Sequence, residues 1–144
     1  MKNEAFNGCK LALLQGTKLL VYKRDEKDNI PYPGQLDLPG GGRECDETPE
    51  QCVLRELYEE FSIKLPAIRL IYRQKYSLSQ PGEFAYFFVA ELSEHESQAI
   101  VFGDEGQSWL FMDIEDYLAS PWAITHLKKR IVEYLDYVKL GSKQ

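Results

Sequence analysis

Residues 38–63 combine three consecutive glycines with a helix that carries acidic residues along one side. The glycines at 40–42 allow the backbone to turn tightly and to approach other groups closely. Thr48, Pro49 and Gln51 are typical of a helix start: Thr48 can cap the helix, Pro49 suits its first position, and Gln51 completes a capping box. A glycine turn followed by a capped helix is therefore the centre of the predicted fold.

At about 100° per residue, this helix divides into an apolar face and an acidic face. Glu56 lies three and four residues before Glu59 and Glu60, so repulsion among the three carboxylates costs about 0.2–0.5 kcal/mol per pair. A divalent cation would relieve that repulsion, because carboxylate oxygens suit Mg²⁺ and Mn²⁺. Taken alone, the pattern also fits an ordinary solvent-exposed charged face. The predicted apolar face holds Val53, Leu54, Leu57, Tyr58 and Phe61, and the acidic face holds Cys52, Arg55, Glu56, Glu59 and Glu60.

Length and charge limit the classes of function. A chain of 144 residues fits one domain over residues 1–144. The net charge of −6 argues against an extended nucleic-acid partner, which favours a basic surface. No apolar run is long enough to span a bilayer, so no membrane association is expected. Three cysteines without metal-site spacing indicate reduced thiols and a cytoplasmic location.

The rest of the chain alternates between strands and helices. Several strands interrupted by one central helix, with helices at the end, predict an α/β sandwich. The predicted strands cover residues 9–14, 19–24, 68–77, 84–90, 100–102 and 109–112, and the predicted later helices cover 114–119 and 122–139.

The spacing of the central segment resembles the Nudix box of the Nudix hydrolase superfamily, Gly-x5-Glu-x7-Arg-Glu-aliphatic-x-Glu-Glu-x-Gly-aliphatic. One position departs from it: Ser62 stands where the family has a glycine at the helix end, which should cost stability and leave the acidic groups intact. The positions that match are Gly41, Glu47, Arg55, Glu56, Leu57, Glu59, Glu60 and Ile63.

The resemblance implies a fold of class α/β (α+β). The expected architecture is a Nudix-type α/β/α sandwich with a mixed β-sheet and the catalytic loop and helix between strands. It also implies divalent-metal-dependent hydrolysis of a pyrophosphate linkage in a nucleoside-diphosphate-linked small molecule. Mg²⁺ is the expected cofactor, with Mn²⁺ as an alternative.

The metal ligands implied by the resemblance come from the box. Glu59 and Glu60 match the main metal-binding pair, and Glu56 matches a position that binds metal or acts as the base. Gly40 or Gly41 could offer a backbone carbonyl to the cation.

Arg55 matches the residue that orients a box glutamate, and Glu47 is expected to shape the helix start. An acid outside the box often joins the site in this family. Glu105 is the best candidate for that catalytic role, with Asp104 as its alternative. Whether the general base is Glu56 or Glu105 stays open.

Two other functions compete with the enzyme. A regulatory Nudix domain would bind a nucleotide metabolite without turnover, and an acidic interaction module would match the box by accident. The intact acidic cluster favours the enzyme. The sequence does not select a substrate, and a homodimer is a further expectation. Candidate phosphate contacts, each also explained by packing or surface roles, are Lys23, Arg24, Arg43 and Arg73.

Overall fold

The computed structural model of the protein describes residues 5–103 and 106–142. Within these ranges the chain forms seven strands and four α-helices, with a short 3₁₀ turn at Ala67–Arg69. The strands are β1 (Gly8–Gln15), β2 (Lys18–Lys23), β3 (Leu36–Asp37), β4 (Gly40–Gly42), β5 (Leu70–Ser77), β6 (Phe84–Glu91) and β7 (Ser108–Asp113). The helices are α1 (Pro49–Phe61), α2 (Glu94–Ser97), α3 (Ile114–Ala119) and α4 (Thr125–Ser142). Among the described helices, none combines the length and apolar character needed to span a membrane.

The strands form one mixed sheet, as predicted. Its main order is β3-β2-β1-β6-β5, with β4 added to β1 and β7 added to β2. β1 and β6 run parallel from the Gly8–Ala85 pair to the Leu14–Glu91 pair, whereas the other described strand pairs are antiparallel. The parallel pair lies at the centre of the sheet, where both faces are covered.

Alternating side chains divide the buried strands between two cores. In β6, Tyr86 and Phe88 face the core that contains α1, while Phe87 and Val89 face the core that contains α4. These four side chains are fully buried. Helices therefore cover both faces of the sheet, which confirms the α/β/α sandwich.

Helix α1 begins as the sequence predicts. The Thr48 hydroxyl accepts a hydrogen bond from the Gln51 N–H at 3.1 Å, and the Gln51 side chain accepts one from the Thr48 N–H at 2.9 Å. The helix ends at Ser62, which adopts a left-handed conformation with φ of 58° and donates its N–H to the Tyr58 carbonyl. Ser62 thus occupies a backbone conformation that favours glycine.

The strand predicted at residues 100–102 is wrong, because this segment bonds to the end of α1. Val101 donates its N–H to the Phe61 carbonyl at 3.0 Å, and Gly103 donates to the Glu60 carbonyl at 2.8 Å. The last carbonyls of a helix have no partner inside the helix. Residues 101 and 103 satisfy two of them and bring this loop beside α1.

The last helix starts three residues later than predicted. Leu36 donates its N–H to the Trp122 carbonyl at 2.8 Å, and its carbonyl accepts from the Ile124 N–H at 3.3 Å. These bonds hold residues 122–124 against β3, so the helix begins only at Thr125. The short helix α2, capped by Ser93, was not predicted.

Replacing Ser62 with glycine tests the cost of the left-handed helix end. We expect Ser62→Gly to raise the free energy of unfolding by about 1 kcal/mol, since glycine adopts this conformation without a Cβ penalty. Urea unfolding measures the change, with Ser62→Ala as the matched control. Equal stabilisation by both variants would contradict the conformational explanation.

A second prediction concerns the ion pair between Arg69 and Glu96. Two hydrogen bonds, at 2.7 and 2.9 Å, join the groups and lower the pKa of Glu96 to about 2. A depressed carboxyl pKa adds stability above its unfolded value of 4.5, and that stability is lost as the pH falls toward 2.

Glu96→Gln should therefore lower the free energy of unfolding at pH 7, and the difference from wild type should shrink by pH 3. Glutamine keeps the oxygen that accepts from the Ser93 N–H, so the variant removes the charge alone. Glu94→Gln, in the same short helix, is the control. A difference that stays constant between pH 7 and pH 3 would exclude the ion pair as its cause.

Candidate active site

The box glutamates of α1 share a cavity with the glycine strand β4. The cavity has a volume of about 490 Å³. It is lined by Lys10, Tyr22, Arg24, Gly40, Gly41, Gly42, Glu44, Glu56, Glu59, Glu60 and Gly103. The structure therefore brings Gly40 and the three predicted acids to one place.

Glu60, which was placed on the acidic face of α1, is buried. It is 6% exposed, and its carboxylate accepts the Gly40 N–H at 2.9 Å. Burial raises the pKa of Glu60 to about 8, opposed by the hydrogen bond from Gly40 and the charge of Lys10. A carboxylate with this pKa is costly to ionise inside the protein unless a positive group joins it.

Two further residues depart from the predicted helix faces. Cys52 is fully buried, and Tyr58 is 49% exposed although it was placed on the apolar face. The Cys52 thiol lies 3.2 Å from the Cys9 thiol of β1. This side of the helix therefore packs against β1 in the core. The division into two faces is wrong at these positions because β1 and the glycine strand cover part of the acidic side.

The Arg55 guanidinium joins the acidic residues to the glycine strand. Its Nε and Nη2 donate to the Glu47 carboxylate at 2.6 and 3.1 Å. Its Nη1 donates to Glu56 at 3.0 Å and to Glu59 at 2.9 Å, and Nη2 also donates to the Gly42 carbonyl at 2.9 Å. The hydrogen bonds to these carboxylates raise the pKa of Arg55, and the one to Glu47 contributes most. Glu47, expected to shape the helix start, instead contacts the arginine that lies between two other box acids.

Two adjacent glycines are required here for different reasons. Gly40 has φ of 139°, and a Cβ on it would overlap the Cys9 carbonyl. A Cβ on Gly41 would lie 2.7 Å from the Glu56 carboxylate. The glycine strand therefore contacts β1 through one residue and the Glu56 side chain through the next.

Lys10, Tyr22 and Arg24, which also line the cavity, meet at a buried acid that sequence reasoning missed. Asp37 is 1% exposed, and its Oδ2 accepts from Lys10 and Arg24 at 2.9 Å each and from the Tyr22 hydroxyl at 3.2 Å. Arg24 was named as a candidate phosphate contact, but Lys10 was not. A signal was present, because Lys10 interrupts the apolar run predicted to be a buried strand.

Glu105 and its alternative Asp104 lie outside the described residues. Their neighbour Gly103 lines the cavity. In residues 5–103 and 106–142, no three His, Cys, Asp or Glu side chains are grouped closely enough to hold a metal ion.

A pair of alanine substitutions tests the two roles of the glycines. Gly40→Ala should lower the free energy of unfolding by about 2–4 kcal/mol, since it combines a strained backbone with a clash against backbone. Gly41→Ala should cost less than about 1.5 kcal/mol, because its neighbour is the flexible end of Glu56. Urea unfolding separates the two, and equal losses would contradict this assignment.

Comparison with known proteins places this arrangement in a family. The family model described as NUDIX domain matches residues 9–135. The chain is 30% identical over 132 residues to mouse diphosphoinositol polyphosphate phosphohydrolase 3-alpha, covering 85% of this chain and 76% of that protein. It is 35% identical over 80 residues to 8-oxo-dGTP diphosphatase of Escherichia coli K12, covering 56% of this chain and 59% of that protein.

A solved structure agrees with these relatives. The crystal structure of the MutT protein from Methanosarcina mazei Go1 superposes with a TM-score of 0.73 at 17% identity, covering 96% of this chain and 99% of the other. At that identity the likeness supports the fold alone. The class of activity is supported by the family model and by the curated relatives. The chain belongs to the NUDIX family, and it is a hydrolase that acts on pyrophosphate bonds.

Proposed function

We propose that this protein hydrolyses the pyrophosphate linkage of a small molecule built on a nucleoside diphosphate, with the help of a divalent cation. The observation that carries the proposal is the cavity that Glu56, Glu59 and Glu60 line together with Lys10 and Arg24. Acidic and basic side chains in one cavity suit a diphosphate, because a cation bound to the acids and the two basic side chains can share its negative charge.

The residues present fit a magnesium or manganese ion by their chemistry. Glu60 is a buried carboxylate with a pKa of about 8, and it shares the cavity with two further carboxylates. Glu59 and Glu60 would hold the cation, with Glu56 and the Gly40 carbonyl as further donors. Such a cation polarises the phosphate and lowers the pKa of water bound to it.

The other groups have separate roles in this proposal. Arg55 orients Glu56 and Glu59 through the hydrogen bonds of its Nη1. Glu56 accepts a proton from the attacking water, or Glu105 does so.

We also propose that residues 1–144 act as one domain, in the cytoplasm, with a small nucleotide as partner and with a second copy of the chain in a homodimer.

Neutral substitutions of the metal-side acids test this proposal. Glu60→Gln and Glu59→Gln should each lower the hydrolysis rate by about 10²-fold or more, because each removes a negative ligand from the cation. Glu60→Gln should unfold at no lower urea concentration than wild type, since glutamine keeps an oxygen to accept the Gly40 N–H and never carries a charge that burial would penalise. The control is Glu50→Gln, on the same helix, whose carboxylate pairs with Arg73 instead.

The assay needs a substrate panel, since the names of the two relatives refer to a diphosphoinositol polyphosphate and to 8-oxo-dGTP. Release of phosphate and pyrophosphate is measured for nucleoside triphosphates, including 8-oxo-dGTP, and for a diphosphoinositol polyphosphate. For ADP-ribose, release of AMP and ribose 5-phosphate is measured. Each is tested with Mg²⁺, with Mn²⁺ and with excess chelator. Full activity in chelator, or in both glutamine variants, would refute the metal-dependent mechanism, and binding without turnover across the panel would favour the regulatory function.

A further inference from the structure

The buried group around Asp37 carries a net positive charge. One carboxylate meets two cations, Lys10 and Arg24, at 2.9 Å each. It also accepts from the Tyr22 hydroxyl, and its second oxygen accepts from the Leu38 N–H at 2.7 Å. One negative and two positive formal charges leave a surplus of one positive charge in this group.

That surplus charge borders the same cavity as the box acids. Lys10 and Arg24 both line it, and the side chain of each is 20% exposed. Asp37, at 1% exposure, anchors the two cations from behind without meeting solvent itself. The cavity is therefore lined both by the carboxylates of α1 and by two cations that carry a surplus of positive charge.

Both cations retain hydrogen-bonding capacity. The Lys10 ammonium donates to Asp37 and to the Leu38 carbonyl at 3.2 Å, which leaves one of its three protons. Arg24 donates through Nε to the Pro31 carbonyl at 2.8 Å and through Nη1 to Asp37. Neither of these two bonds uses Nη2 of Arg24, so this nitrogen can donate to a ligand.

Arg24 also lines a second cavity, which has a volume of about 310 Å³. That space is lined by Tyr22, Arg24, Asp25, Lys27, Ile30 and Gly106. A molecule with its phosphates beside Arg24 could extend into this second cavity with the group attached to them.

We propose that Lys10 and Arg24, positioned by Asp37, form a subsite that binds a phosphoryl group of the diphosphate. The subsite determines affinity for the diphosphate part of the substrate. This inference rests on the proposed function, which supplies the diphosphate. Lys10 and Arg24 contact substrate oxygens, and Asp37 is a positioning residue.

Binding of methylenediphosphonate, a diphosphate analogue that is not cleaved by hydrolysis, tests the subsite directly. Calorimetry with Mg²⁺ present should give a dissociation constant that rises about tenfold or more in Lys10→Gln and in Arg24→Gln, because each loses a charge-assisted hydrogen bond. Arg24→Lys should retain part of the affinity, since it keeps the charge without the planar fork. Lys64→Gln, which removes an exposed charge outside the cavity lining, should bind as wild type does.

A double variant separates ligand binding from folding. Lys10→Gln alone leaves Asp37 with one cation and should unfold at lower urea. Lys10→Gln with Asp37→Asn removes both charges and should recover stability, yet its affinity for the diphosphonate should stay low. If affinity returns with stability, Lys10 has only a structural role and the subsite proposal fails.

Kinetics distinguish this proposal from the one on which it rests. With a hydrolysed substrate, Lys10→Gln and Arg24→Gln should raise KM about tenfold or more and change kcat less than about threefold, since the phosphate is held in both ground and transition states. If wild type hydrolyses the panel while KM and diphosphonate affinity are unchanged in both variants, the subsite is refuted and the function stands. If wild type binds the diphosphonate through these residues but hydrolyses nothing, the subsite stands and the function fails. Wild type that does not bind the diphosphonate at all refutes the subsite.

Discussion

The close approach of the glycine strand to both β1 and α1 is the contact on which the site depends. Gly40 pairs with Lys10 of β1, and its N–H bonds to the buried Glu60 carboxylate. Gly41 leaves room for the Glu56 carboxylate where a side chain would collide with it. Because β4 brings no side chain to this contact, Glu60 and Glu56 lie directly against its backbone.

The charges that line the cavity depend on which side chains are brought together there, not on the net charge of the chain. The protein is acidic overall, with a net charge of −6, yet one wall of the cavity is positive because Asp37 holds two cations. Beside the cavity, Arg55 donates hydrogen bonds to Glu47, Glu56 and Glu59 and so limits the mutual repulsion of these carboxylates. Low solvent access strengthens both arrangements, since charges interact more strongly away from water.

Prediction from the sequence succeeded where a feature depends on neighbouring residues and failed where it depends on residues distant in the chain. The start of α1 was predicted to the residue, because a capping box involves neighbours within one turn. The strand at 100–102 and the start at residue 122 were wrong, because their backbone groups bond to α1 and β3, which are distant in sequence. Residues 104–105 lie outside the described part of the chain, so the role of Glu105 stays a prediction.

The sequence by itself determined the helix, its cap, the glycine turn and the set of box acids, since all of these depend on spacing within one short segment. The resemblance to the Nudix box also implied a glycine at position 62, where serine adopts φ of 58°. Only the tertiary structure decided that Glu60 and Cys52 are buried and that Lys10 and Arg24 meet at Asp37. Those outcomes depend on how β1, β2 and β3 pack beside α1, and helical periodicity carries no information about what will cover a helix face.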